Sequence, residues 1–194
     1  MRNALIAAWT RERLYAVLDQ YLAALVARDP AKVDWAPMVR ATENNVELAI
    51  GDGLWGTITG RGDYDLRFAD CTTGQVGLFS TVQESQHDSA MALRIGVNGQ
   101  DAITEVEMLI VRQVDEALVF PNPRFEPKPA FESAIPADKR MTRERLRAIA
   151  DGYFSTLEQN DGQLFTRFHP DCERVENGVQ TTNNPDFPLV NAHL

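Results

Sequence analysis

Tyr64, Asp65, Arg67 and Asp70 bring together, within seven residues, the side-chain types that acid–base chemistry needs. A tyrosine facing a pocket can donate a hydrogen bond to a developing oxyanion, and a neighbouring carboxylate can take up a proton. On a solvated loop the same residues would form an arginine–aspartate pair that contributes little. Both readings are open from sequence. Tyr64 and Asp70 stand as candidate catalytic residues, and Arg67 as a candidate binding residue.

Glu43 and Glu105 extend the candidate catalytic set. Glu43 is followed by Asn44, and the same Glu-Asn pair returns at Glu176-Asn177. Glu43 can serve as a pocket carboxylate, or the pair can close a loop by satisfying backbone donors. Occurring twice favours the structural role. Asp19 and Asp151, each two residues before a helical tyrosine, carry the same two readings. Glu105 and Glu107 share one face of a strand, with Val106, Met108 and Ile110 on the other. Facing inward, the carboxylates would have raised pKa values and form an acid–base pair. The unbroken apolar set opposite favours the outward placement. Tyr21 and Trp55 join Arg67 as candidate binding residues, and Tyr21 is expected to be buried with a partner for its hydroxyl.

Several other patterns carry less. Gly51-x-Gly53-x-x-Gly56 spells a dinucleotide fingerprint, which requires a helix to begin there and hold a pyrophosphate. The β-branched, glycine-broken run Thr57 to Gly62 predicts a strand-turn-strand instead, with no helix starting at Trp55. Arg61-Gly62-Asp63 spells an adhesion tripeptide and reads as a loop. His87, His169 and His193 do not pair at ligand spacing, so no metal site is expected. Cys71 and Cys172 cannot build a disulfide framework, and no nucleophile elbow occurs. No cofactor is expected. A formal net charge of −9 speaks against nucleic acid as a partner. Nothing approaches the roughly 18 apolar residues of a membrane span, and the apolar run in Met1–Trp9 is too short for a secretory segment. A soluble, cytoplasmic protein is the expectation.

The elements that must position these groups begin with an amphipathic helix over Thr10–Arg28, striped by Leu14, Val17, Leu18, Tyr21, Leu22 and Leu25. Asp29-Pro30 ends it. Residues 31–39 read as a loop or short helix. Val46, Leu48 and Ile50 then alternate as a strand closed by Gly51-Asp52-Gly53, with Leu54–Thr59 as the next short strand and a glycine-rich corner at Gly60–Gly62. Val76–Glu84, Ser89–Val97 and Ile103–Gln113 read as a meander, its last two strands joined by Asn98-Gly99. Five of the ten prolines lie between residues 121 and 136, which marks a stiff linker.

A second stretch echoes the first. Thr-Arg-Glu-Arg-Leu at Thr10–Leu14 recurs at Thr142–Leu146, and Tyr21, Leu25 and Asp29 match Tyr153, Leu157 and Asp161. One residue out of that offset, Pro37, Glu43, Asn44 and Val46 match Pro170, Glu176, Asn177 and Val179. Such self-similarity reads as an internal repeat. The expected organisation is therefore a domain at 1–119, a Pro-rich linker at 120–141 and a partial second repeat at 142–194. The second unit stops before any counterpart of the meander, so a truncated or fragmentary chain is expected.

Particular motifs resemble a known group. Asp19-x-Tyr21-Leu22-x-Ala24-Leu25-Val26-Ala27-x-Asp29-Pro30, Arg40-x-Thr42-Glu43-Asn44 and Gly53-Leu54-Trp55 look like an uncharacterised family of bacterial and filamentous fungal proteins. Its members are built from paired SnoaL-like domains of the nuclear-transport-factor-like superfamily. Cys172-x-Arg174-x-Glu176-Asn177-Gly178-x-Gln180-Thr181-Thr182-Asn183-Asn184-Pro185 resembles that family's C-terminal half. The resemblance implies an α+β class and a cystatin-like, cone-shaped α+β barrel, a helix covering a curved antiparallel sheet, followed by an incomplete repeat. It brings no established activity. The superfamily contains isomerases, dehydratases and hydrolases as well as transport factors and subunits that catalyse nothing, so fold alone does not decide.

Two functions follow as expectations. The leading one is a cofactor-independent acid–base enzyme of the lyase, isomerase or hydratase type, acting on a small apolar molecule. The alternative is a non-catalytic ligand-binding or assembly module. A small-molecule ligand and a pseudo-dimer or homo-oligomer, formed through the sheet or the second helix, are the expected partners.

Overall fold

The computed structural model describes residues 8–85, 87–112, 124–126 and 128–187. They fall into two compact units, whose main division is at Pro127/Lys128 inside the Pro-rich segment, with Asn177–Val179 grouped with the first. Pro121, Pro123, Pro127, Gln113 and the tail beyond Phe187, to which the sequence reading assigned linker, strand end and second repeat, lie outside the described residues.

The first unit opens with helix α1, Arg11–Ala27. Thr10 starts it by accepting a hydrogen bond from the Arg13 backbone N–H at 3.2 Å, which satisfies one of the orphan donors of a helix N-terminus. Arg28 ends it in the left-handed region at φ 54°. The predicted stripe is the buried face: Leu14, Leu18 and Leu25 are fully enclosed, each contributing about 2 kcal/mol through burial. Asp29 then caps a short 3-10 turn, Pro30–Lys32.

The next element corrects the sequence expectation. Residues Trp35–Glu43 form strand β1, although residues 31–39 were expected as a loop or short helix, and only Val46–Glu47 (β2) pairs with it beyond the turn. Asn44 and Asn45, at φ 49° and 65°, make that turn. The partner of β1 explains why local alternation misled. It lies parallel to Ile103–Val111 (β6), about as far away as the unit allows. Pro37 is accommodated where the β1–β6 register shifts, between Trp35 and Arg40, so no ladder bond is lost to it. Val46 is solvent-exposed, so the Val46–Ile50 alternation does not mark a buried face.

Leu54–Thr57 is a single helical turn, α2, and β3 runs on unbroken from Ile58 to Asp70. The expected glycine corner is instead two register shifts within β3. β4 (Gln75–Glu84), β5 (His87–Val97) and β6 then form the expected antiparallel meander. Among the described residues the sheet has six strands in the order β2-β1-β6-β5-β4-β3, antiparallel except for β1 with β6. This is an α+β architecture, with an open and mostly antiparallel sheet. One face carries Val76, Leu78, Val82, Met91, Leu93, Ile95, Val106, Met108 and Ile110 into the core with α1. The opposite face carries Arg94 between Glu105 and Glu107, beside an apolar row in which Phe79, Ala92 and Leu109 are register partners.

In the second unit, α4 spans Arg143–Gln159 after two short turns, α3 at Pro129–Glu132 and a 3-10 turn at Ala137–Lys139. Its local form parallels α1: both helices have 17 residues, a Thr cap bonded to the third helical N–H, and a left-handed C-cap. Gly152 is its buried residue, while its apolar residues Leu146, Phe154 and Leu157 are more than half exposed. Further along the chain, Val175–Glu176 (β7) and Val179–Gln180 (β8) form a two-stranded hairpin turned by Asn177 and Gly178. Among the described residues no helix is long and apolar enough to cross a membrane.

Candidate functional site

A crevice opens between α1, the end of β1 and α2. Tyr21, Trp35, Thr42, Glu43, Asp52, Trp55 and Met108 are among the side chains lining it. The three aromatic rings stand against one another, with Tyr21 edge-on to Trp55 at 5.5 Å and to Trp35 at 6.2 Å between centroids. Trp35 and Trp55 lie 6.4 Å apart at 56°. Such edge-to-face contacts stabilise each pair by about 1 kcal/mol beyond burial.

Tyr21 is 1% exposed and enclosed between the Trp35 and Trp55 rings. The expectation of a buried Tyr21 in the core between the first helix and the sheet is met. Burial drives its pKa well above the usual phenol range; the Trp55 side chain opposes this and the nearby Glu43 charge adds to it. The group is therefore a permanently protonated phenol at neutral pH. Trp35 directs its ring N–H to the Pro30 carbonyl at 2.9 Å.

Glu43 is held from two sides. Its Oε2 accepts from the Leu54 backbone N–H at 2.7 Å, and its Oε1 accepts from Arg112 Nη2 at 2.7 Å. The same arginine reaches Glu84, 3.0 Å from Nε to Oε2. Glu84 also accepts from Thr57 Oγ1 at 2.5 Å and Ser89 Oγ at 3.0 Å. Burial works to raise the Glu84 carboxyl; the hydrogen bonds from Thr57, Arg112 and Ser89 together outweigh it and hold the group below the ordinary glutamate range. The result is a half-buried network of two carboxylates on one guanidinium.

The Glu43–Leu54 bond also decides the nucleotide fingerprint. A helical turn does begin at Leu54, against the expectation of none at Trp55. Its leading N–H, the group a pyrophosphate would need, is already occupied by Glu43. Gly53 sits at φ 64°, and a Cβ there would collide with the same carboxylate. The glycine is required by the Glu43 cap.

The other candidate residues lie elsewhere. Tyr64 lies on β3, where its carbonyl accepts from Ser80 Oγ at 2.8 Å and its ring meets Phe125 at 5.9 Å. Asp70 closes the β3–β4 turn, accepting from the Thr72 N–H at 3.0 Å and Thr73 Oγ1 at 2.6 Å. Arg67 joins Asp65 at 2.5 Å and Asp19 of α1 at 2.7 Å, and lies over the Tyr15 ring. Asp65 is held below its ordinary range by the Arg67 hydrogen bond first, with burial opposing and Arg61 assisting. Glu105 sits on the outer face between Arg94 at 2.9 Å and Arg40 at 3.2 Å. The Arg94 hydrogen bond is the main cause of its lowered pKa, opposed by burial and reinforced by Arg40. Of the four catalytic candidates, Glu43 lines the crevice; with it come Tyr21 and Trp55 from the binding set.

Glu84, Arg112, Trp35 and Asp52 are the participants that the sequence reading did not select. Two of them were countable. Glu84 continues the inward series Val76, Leu78, Ser80, Val82, and Arg112 continues Val106, Met108, Ile110. A charged residue closing such a series must meet a partner at the sheet end. Trp35 had no comparable signal. Among the described residues no group of three His, Cys, Asp or Glu side chains gathers to hold a metal ion.

Residues 139–193 match the model of a domain of unknown function, DUF8021. That stretch is similar to the family's domain and begins inside the second unit, just ahead of α4. No curated protein matches the chain.

Proposed function

We propose that the first unit is a non-catalytic small-ligand-binding module whose site is the crevice lined by Tyr21, Trp35, Trp55, Glu43 and Asp52. One observation carries this reading. Glu43, Glu84, Glu105 and Asp65 are each bonded to an arginine, whereas a general base works best with a pKa near the operating pH. Arginine and hydroxyl partners hold Glu84, Glu105 and Asp65 below the ordinary carboxylate range, away from neutrality.

The finer fold belongs to the same reading. A helix laid across a mostly antiparallel sheet, with a crevice at one end, suits the cystatin-like, SnoaL-like cone with the second unit as an incomplete repeat. The matching caps and lengths of α1 and α4 support a duplication. Copies or units pairing through the sheet would cover Phe68, Phe79 and Leu109, which are 45–47% exposed on its outer face. Two exposed free cysteines suit a reducing, cytoplasmic setting.

A cofactor-independent acid–base enzyme is the second reading, favoured by Tyr21 and Glu43 lining one crevice, a protonated phenol beside a carboxylate. A thermal-shift screen of small polar and apolar molecules, each hit incubated and analysed for product, separates the two. Stabilising hits recovered unchanged are expected. Turnover that Glu43→Gln abolishes would transfer the assignment to the enzyme reading.

A further inference from the structure

The crevice has an interior volume of about 30 Å³, far below the ~300–1,000 Å³ of sites that enclose a drug-sized ligand. Only one or two heavy atoms can enter, so whatever binds inserts a head group and leaves the rest of itself outside. The lining fixes the chemistry of that head group. Tyr21, Trp35 and Trp55 present π-systems, whose faces attract cations. Glu43 and Asp52 are the ionisable carboxylates of the lining, and no Lys, Arg or His side chain is part of it.

The two carboxylates have different tasks. Glu43 gives one hydrogen bond site on each oxygen to Leu54 and Arg112, and each oxygen retains a further lone pair. Asp52, at the rim, has no side-chain partner among the described residues. Arg112 is not among the lining residues and is shared between Glu43 and Glu84. Against that one guanidinium stand Glu43, Glu84 and Asp52, so the surroundings remain net negative. An anion would meet this field unfavourably, and a neutral group would leave Asp52 without a counter-charge.

We propose that the crevice binds the primary or monomethylated ammonium head group of a small amine, set against the aromatic rings and paired with Asp52 and Glu43. This rests on the ligand-binding reading above. The ammonium nitrogen and one attached carbon fill the available volume, and the amine's chain continues past Asp52 into solvent. A tetramethylated ammonium is too large to enter.

The test is an NMR titration of the full chain at constant ionic strength, following the indole N–H signals of its three tryptophans. Trp35 and Trp55 report on the crevice and Trp9 is the internal reference. The probes are methylammonium chloride, tetramethylammonium chloride, potassium acetate and methanol. Saturable shifts of Trp35 and Trp55 with methylammonium alone are expected, weakened about tenfold in Asp52→Asn, whose exposed position leaves the fold intact. Glu43→Gln is a second variant, expected to weaken binding as well. It is read only if its spectrum stays dispersed, and Asp52→Asn decides without it. Equal affinity in Asp52→Asn, or equal binding of tetramethylammonium, overturns the proposal. Shifts with methanol or acetate but not with methylammonium overturn the ammonium assignment and leave a ligand site standing. If no probe moves Trp35 and Trp55, both the inference and the binding reading fall.

Discussion

Glu43 Oε2 accepts the Leu54 backbone N–H at 2.7 Å, so the end of β1 caps the helical turn that carries Trp55. Strand and crevice wall are joined through this one carboxylate. Glu43→Ala removes the cap and leaves Arg112 with one partner fewer, and is expected to cost about 1–3 kcal/mol. Glu43→Gln keeps an oxygen for Leu54 and should cost less. Urea unfolding of both variants gives the comparison; equal losses would mean that the Leu54 bond contributes nothing.

Tyr21→Phe removes an enclosed hydroxyl from the side chain that stands edge-on to Trp55. A loss of about 1 kcal/mol is expected, with a shift of the Trp55 indole N–H resonance. An unchanged resonance would show that the pair is not formed in solution.

Acid should unfold the first unit through its depressed carboxylates. Glu84, Glu105 and Asp65 all have folded pKa values below their ordinary ones. Their contribution is complete above the unfolded values, about 4 for such groups, and is lost as pH falls through the lower folded values. The urea midpoint should therefore stay flat from neutrality to mild acid and drop below about pH 4. Arg112→Met should flatten the drop by releasing Glu84. An acid limb identical to wild type would exclude the Glu84 share.

Gly152→Ala inverts a common rule. In an exposed helix the change gains up to about 1 kcal/mol, but here the new Cβ would stand 2.8 Å from the Phe165 carbonyl oxygen. Backbone cannot swing aside as a side chain can, so a net destabilisation of the second unit is expected. Thermal unfolding of the variant is the check, and any gain would mean that Phe165 is not packed there.

Phe79→Lys tests association through the sheet. Sedimentation of the wild type at rising concentration should reveal mass above the 21.7 kDa chain, and the variant should lose it. A wild type monomeric throughout would remove this face as an assembly surface.

The helix and the meander were legible because their signals are local. The stripe from Leu14 to Leu25 repeats at helical spacing, and Asn98-Gly99 joins strands adjacent in sequence. β1 was not legible, because Trp35–Glu43 contains a proline and takes its partner from β6. A pairing that distant leaves no trace in a short window. α2 escaped for the opposite reason: one turn is too short to show a period, and its cap comes from Glu43 rather than from its own flank. The cluster around Tyr64 and Asp70 carries the right residue types but no local signal for the face each side chain takes. Strand register decided that Asp70 closes a turn while Glu43 reaches the crevice.

The parallel pairing of β1 with β6 sets an order of assembly. During synthesis β1 leaves the ribosome with only the two residues of β2 to pair with, and its ladder cannot form until Val111 has emerged. The hairpins β3–β4 and β4–β5 can zip as they appear, whereas the crevice walls carried by Trp35 and Glu43 must wait for a loop spanning the whole meander to close. Such non-local closure is slow. The first unit should therefore gain its sheet before its binding site, and the nascent chain should expose Tyr21, Trp35 and Trp55 for longest.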